Sequence, residues 1–105
     1  MKIQVNTDRN IQGSEELVAE IEATVTDSLG HYTANITRVE VHLSDENGGK
    51  QGHDDKRCVM EARVEGRQPT AVTCDASSVS EAVTGAATKL KHALASTMER
   101  LREHR

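Results

Sequence analysis

Apolar residues recur along this chain with two periods, every second residue or every third to fourth, and the switches between them divide it into alternating segments. Residues 2 to 6 alternate, with Ile3 and Val5 on one side, and predict a first strand. Thr7 to Gly13 is a polar connection containing Asn10 and Gly13. From Ser14 the period lengthens: Leu17, Val18, Ile21, Val25 and Leu29 fall on one helical face. Glu15 and Glu16 sit in its first turn, where the helix dipole favours anions, and Gly30 is expected to end it as a left-handed cap. Ile36 to Ser44 alternates again, with Val39, Val41 and Leu43 opposed to Arg38, Glu40 and His42. Asp45 to Asp55 (DENGGKQGHDD) is glycine-rich and charged and is expected to be a mobile loop. Lys56 to Glu65 sets Cys58, Met60, Ala62 and Val64 against Arg57, Val59, Glu61 and Arg63. Gly66-Arg67-Gln68-Pro69 is turn chemistry, so Thr70 to Cys74 should return as an antiparallel strand.

Asp75 to Ser77 leads into one long helix, Ser78 to Arg105. Its apolar stripe is Val79, Val83, Ala86, Leu90, Leu94, Met98 and Leu101, and Ser78 followed by Glu81 is a capping-box spacing. The exposed side begins small and neutral (Ser80, Thr84, Gly85, Thr88) and continues with Lys89, Lys91, His92, Arg100, Arg102, His104 and Arg105. Strands with one polar face need cover on one side only. The pattern therefore predicts an α+β fold of order β-α-β-β-β-α: a four-stranded mixed or antiparallel sheet with both helices on one face. Residues 1–105 read as a single domain.

Charge sharpens this picture. From Lys89 onward there are five Lys/Arg against two Glu, a net of +3, whereas the whole chain is −4 and residues 1–88 thus carry −7. Basic residues late in a helix complement its dipole, and a solvated face accounts for them; a basic stripe that meets a polyanion also accounts for them. The first helix is acidic instead, with Glu15, Glu16, Glu20, Glu22 and Asp27. The chain has no Trp, no Phe and one Tyr. That poverty argues against modules that stack bases on aromatic rings, so RNA would be met through phosphates and shape.

No apolar run approaches the roughly 20 residues that span a bilayer, and residues 1–5 have no signal-peptide character, so a cytoplasmic location without membrane contact is expected. Cys58 and Cys74 then read as reduced, inward-facing thiols, although their strands should be neighbours. His53, Asp54, Asp55 and Cys58 invite a metal reading, but a glycine-rich loop offers no converging geometry, and a solvated hairpin tip is the simpler account. The five histidines pair with no Ser, Cys or carboxylate in a catalytic arrangement, and neither a phosphate loop nor a complete calcium loop is present. Neither an enzyme nor a cofactor is expected.

The element order and the basic final helix resemble those of the bacterial ribosome hibernation factors, the family of the hibernation-promoting factor and the ribosome-associated inhibitor, once called sigma-54 modulation proteins. The likeness is clearest in the segment from Ser78 to Leu90, where Ala82, Val83, Lys89 and Leu90 fit the family's pattern; Val64-Glu65-Gly66 and Ile11 fit more loosely. The resemblance implies a fold like that of double-stranded-RNA-binding domains. It also implies docking in the mRNA and tRNA channel of the small ribosomal subunit, on ribosomal RNA phosphates, with translation inhibited in stressed or idle cells. Lys89, His92, Arg100 and Arg102 correspond to family positions, and Lys91 and Arg105 are basic neighbours. The chain departs from the pattern at Ser80, where relatives have an aromatic, at Ser96 and Met98, where they often have Lys, and at Thr24, Thr26 and Asp27, where the first helix usually carries lysines. Each lost phosphate contact removes counterion release from RNA binding, and an added carboxylate such as Asp27 repels RNA. The resemblance implies no DNA partner. A reading from another class is a protein-interaction domain whose acidic helix meets a basic surface, including that of a second copy in a homodimer.

Overall fold

The computed structural model describes residues 1–46 and 55–103, and of residues 101–103 the backbone alone. Its elements follow the predicted order: β1 (Lys2–Thr7), α1 (Glu15–Leu29), β2 (Ile36–Asp45), β3 (Lys56–Val64), β4 (Thr70–Ala76) and α2 (Val79–Glu103). The strands form one mixed sheet in the order β1-β2-β3-β4. β1 runs parallel to β2, with Ile3 beside Val39 and Val5 beside Val41, as the helical crossover requires. β2, β3 and β4 are antiparallel neighbours, with Val41 beside Met60 and Met60 beside Val72.

Alternation decides which face is covered. Val39, Val41, Leu43, Cys58, Met60, Ala62 and Val64 are buried beneath the two helices. Ile21, Val25 and Leu29 cover them from α1, and Ala82, Val83, Ala86, Ala87, Leu90 and Leu94 from α2. The buried face of α2 is broader than the predicted stripe, because Ala82 and Ala87 are completely covered too. These alanines let the helix axis lie close to the sheet. Gly85 lies closer still: a Cβ there would collide with Cys74 Sγ, so this residue packs against β4 and does not belong to the solvent-facing side. The core also takes in Ile11, 7% exposed, from the connection before α1.

Three local features depart from the simplest pattern. Gly30 is right-handed (φ −54°, ψ −34°), and the chain continues through a 3-10 turn, Gly30–Tyr32, in place of the expected left-handed cap. Tyr32 packs against the core, which keeps the chain turning inward, and Asn35 N donates to Tyr32 O at 2.9 Å to close the corner. The register of β2 against β3 shifts between Ile36 and Arg38, a bulge that leaves Thr37 and Arg38 both on the outer side and turns Ile36 into the core. At the other end of β2, Asp45 and Asp55 are buried. Lys56 Nζ lies between them, 3.5 Å from Asp45 and 3.1 Å from Asp55. The rest of the predicted mobile loop, residues 47–54, lies outside the described residues.

Candidate nucleic-acid interface

The predicted cations begin at α2, whose start is fixed by Ser78: its hydroxyl accepts from Glu81 N at 3.1 Å. The helix spans 25 residues, about 37 Å at 1.5 Å per residue. β4 beneath it has seven residues, about 24 Å at 3.4 Å per residue. α2 therefore outruns its strand. Leu94 is the last fully covered residue among those described; Met98, one turn on, still packs in part against the core, and the helix continues beyond it.

The structure does not gather the basic residues into one stripe. At about 100° per residue, Lys89 and Arg100 fall on the same side of α2, roughly 20° apart, whereas Lys91 is roughly 200° round from Lys89. Lys91 and His92 are exposed. Lys89 is exposed but engaged: its Nζ donates to Thr73 O at 2.8 Å, on the free edge of β4. Arg102 lies on the helical backbone with its side chain undescribed, and Arg105, like His104, lies outside the described residues.

Arg100 shares a cleft with Arg67, which the sequence shows only as turn chemistry. The overhanging end of α2 and the turn after β3 border an open cleft of about 650 Å³, lined by Arg67, Gln68, Pro69, Thr70, Thr97 and Arg100 among others. Gly66 holds φ +76°, a conformation that favours glycine, and Arg67 N donates to Val64 O at 3.0 Å to close the turn. The sequence shows only an arginine directly after a turn glycine; that the end of α2 comes to lie beside it is set by the fold.

The remaining arginines of the sheet are neutralised internally. On the open face, Glu40 accepts from Arg38 at 2.8 Å and lies 3.6 Å from Arg63. Arg57 is 3.0 Å from Glu46 and grips Asp75 at 2.8 and 3.3 Å. That hydrogen-bonded grip, with the positive charges of Arg57 and Lys89 adding to it against a desolvation cost, holds the Asp75 carboxyl below its ordinary range. The bond to Asp55 in turn raises the Lys56 amine above its usual value.

Strand directions place the charges along the molecule, whose extents are 51 × 25 × 20 Å. Both helices run back against the strands that precede them. One end of the molecule therefore collects Lys2, Arg38, Arg63, Arg67 and Arg100, interspersed with Asp27, Glu65 and Glu99. The opposite end collects Asp8, Glu15, Glu16, Asp45, Glu46, Asp55 and Glu81, offset in part by Arg9, Lys56 and Arg57.

The other candidate chemistry resolves as follows. Cys58 and Cys74 are free thiols on directly paired residues of β3 and β4. Burial, and secondarily Cys74, push the Cys58 thiol up to about 12. Among the described residues no three His, Cys, Asp or Glu converge as a metal site; His53 and Asp54 lie outside them. No helix among the described residues is long and apolar enough to cross a membrane.

Comparison with known proteins agrees with this architecture. No curated protein matches the chain in sequence. Among solved structures, the N-terminal domain of Thermus thermophilus Protein Y superposes with a TM-score of 0.70 at 18% identity, over 88% of this chain and 93% of that one. A ribosomal subunit interface protein from Coxiella burnetii superposes with a TM-score of 0.75 at 14% identity, over 94% of this chain and 99% of that one. The family model described as sigma 54 modulation protein / S30EA ribosomal protein matches residues 4–102, and the chain belongs to that family.

Proposed function

We propose that this protein associates with the small ribosomal subunit as a hibernation factor, inhibiting translation by contacting ribosomal RNA through the cations of α2. The observation that carries this reading is the exposure of Lys91, His92 and Arg100 on the far half of α2, in a chain of this family. The similarity to a ribosomal subunit interface protein from Coxiella burnetii supports the choice of partner. Phosphate contacts release counterions, so binding should weaken steeply with salt.

The test is sucrose-gradient co-sedimentation with bacterial small subunits at two salt concentrations. Wild-type protein is expected to travel with the subunit at low salt and to be lost at high salt. The triple variant K91E/R100E/R102E is expected to stay at the top of the gradient; Lys89 is left in place because it also binds the β4 edge. Unaltered co-sedimentation of the triple variant overturns the mechanism.

The second reading, a protein-interaction domain that meets its partner with α1, draws on the exposed row Glu15, Glu16, Glu22 and Asp27. Exposed charges alone contribute little affinity. Among the described residues the exposed large apolar side chain is Met1, at 37%, so no apolar patch accompanies the acidic row. Light scattering that returns a dimer at micromolar concentration favours this second reading in its homodimer form.

A further inference from the structure

We propose that the cleft between the β3–β4 turn and the overhanging end of α2 seats a backbone phosphate of structured RNA between Arg67 and Arg100. The inference rests on the ribosomal reading above and locates within it a contact away from Lys91 and His92.

Three observations carry it. The first is convergence: two arginines 33 residues apart in sequence line one cavity, brought there by the length of α2 and the reversal after β3. The second is availability. Arg38, Arg57 and Arg63 each have a carboxylate within 3.6 Å, and Lys56 has two. Among the described residues Arg67 and Arg100 have none, although Glu65 and Glu99 are close to them in sequence. Their planar donor forks are free for an oxyanion, which they match two oxygens at a time. The third is rigidity. Gly66 and the Arg67–Val64 hydrogen bond fix one backbone, Pro69 stiffens the turn beyond it, and a helix carries the other arginine. The two backbones are therefore preset, and only the arginine side chains have to be ordered when the ligand arrives.

The lining also selects among anions. Thr97 spends its hydroxyl proton on Ala93 O at 3.2 Å, leaving Arg67, Arg100, Gln68 and Thr70 as the side-chain donors of the lining. Among the described residues no aromatic ring lines the cleft, so they offer a base no stacking platform, and recognition falls on the sugar–phosphate backbone. About 650 Å³ is far more room than one free phosphate fills, and suits a phosphate carried by a passing strand.

The experiment measures binding of the full chain to bacterial small subunits across a salt series, for wild type, R67Q, R100Q and the double variant, with K91Q as control. Arg67 and Arg100 are exposed, so thermal midpoints should stay at the wild-type value. Each single variant is expected to weaken binding three- to tenfold and to make the salt slope shallower by about 1. The double variant should lose little more than either single one, because both arginines serve one phosphate, whereas R67Q and K91Q should combine additively. Wild-type binding with R67Q indistinguishable from it overturns the cleft and leaves the ribosomal reading standing. Absence of wild-type binding at low salt overturns both. A parallel titration of ¹⁵N-labelled protein with inorganic phosphate, against chloride at equal ionic strength, separates the source. Saturable shifts at residues 66–70 and 97–100 without subunit binding would assign the cleft to free phosphate and overturn the RNA assignment.

Discussion

At Gly85 a single methyl group separates a helix that lies on its sheet from one that cannot. The G85A substitution places a Cβ against Cys74 Sγ, and overpacking of this kind typically costs about 1–3 kcal/mol. Urea unfolding should register that loss, and most of it should return in G85A/C74A, where the obstructing sulfur is gone. A loss unchanged by C74A would place the clash elsewhere. This contact was not legible in the sequence, where Gly85 stands among Ser80, Thr84 and Thr88 and reads as part of a neutral exposed face. Close approach depends on what lies opposite, and Cys74 is reached only through the return of α2 over β4. Arg67 was hidden for the same reason: turn composition announces a turn, but not which helix end will face it.

Elements were more legible than their ends. Period-2 alternation in Val39–Leu43 and Cys58–Val64 identified the covered face of the sheet, because side chains on adjacent residues must point to opposite sides. The alternation broke at Ile36, where the bulge inserts one residue and reverses the parity of everything before it. Gly30 misled in another way: a glycine permits a left-handed cap but does not compel one when Tyr32 gains more by packing inward. The start of α2 was readable because Ser78 supplies its capping oxygen locally. Replacing that hydroxyl, in S78A, should cost about 1 kcal/mol in thermal or urea unfolding. The loss should come without a change in m-value, since no surface is newly exposed.

For the whole molecule, charge was legible as a difference between the two parts of the chain but not as an arrangement in space. Only the strand directions turn the sequence asymmetry into a strongly acidic end and an end where cations modestly outnumber carboxylates. The acidic flank of α1 can be tested separately from the site. Reversing Glu22 and Asp27 to Lys raises the net charge from −4 to 0. Both residues are exposed, and Glu20 is left alone because it accepts from Ser80 Oγ at 2.9 Å. E22K/D27K is expected to sediment with small subunits to higher salt than wild type, with an unchanged thermal midpoint. Identical salt sensitivity would mean that α1 faces away from the RNA. The two-ended distribution has a kinetic meaning as well. In the field of a polyanion such a body experiences a torque, because the end bearing Asp45 and Glu46 is repelled more strongly than the end bearing Arg67 and Arg100. The 51 Å axis then points at the surface before any atoms touch. Rotational search is shortened within the reach of that field, about 8 Å at physiological ionic strength. Most first collisions are made by the end that carries the cleft, and added salt acts on the orientation of arrival as well as on the strength of the hold.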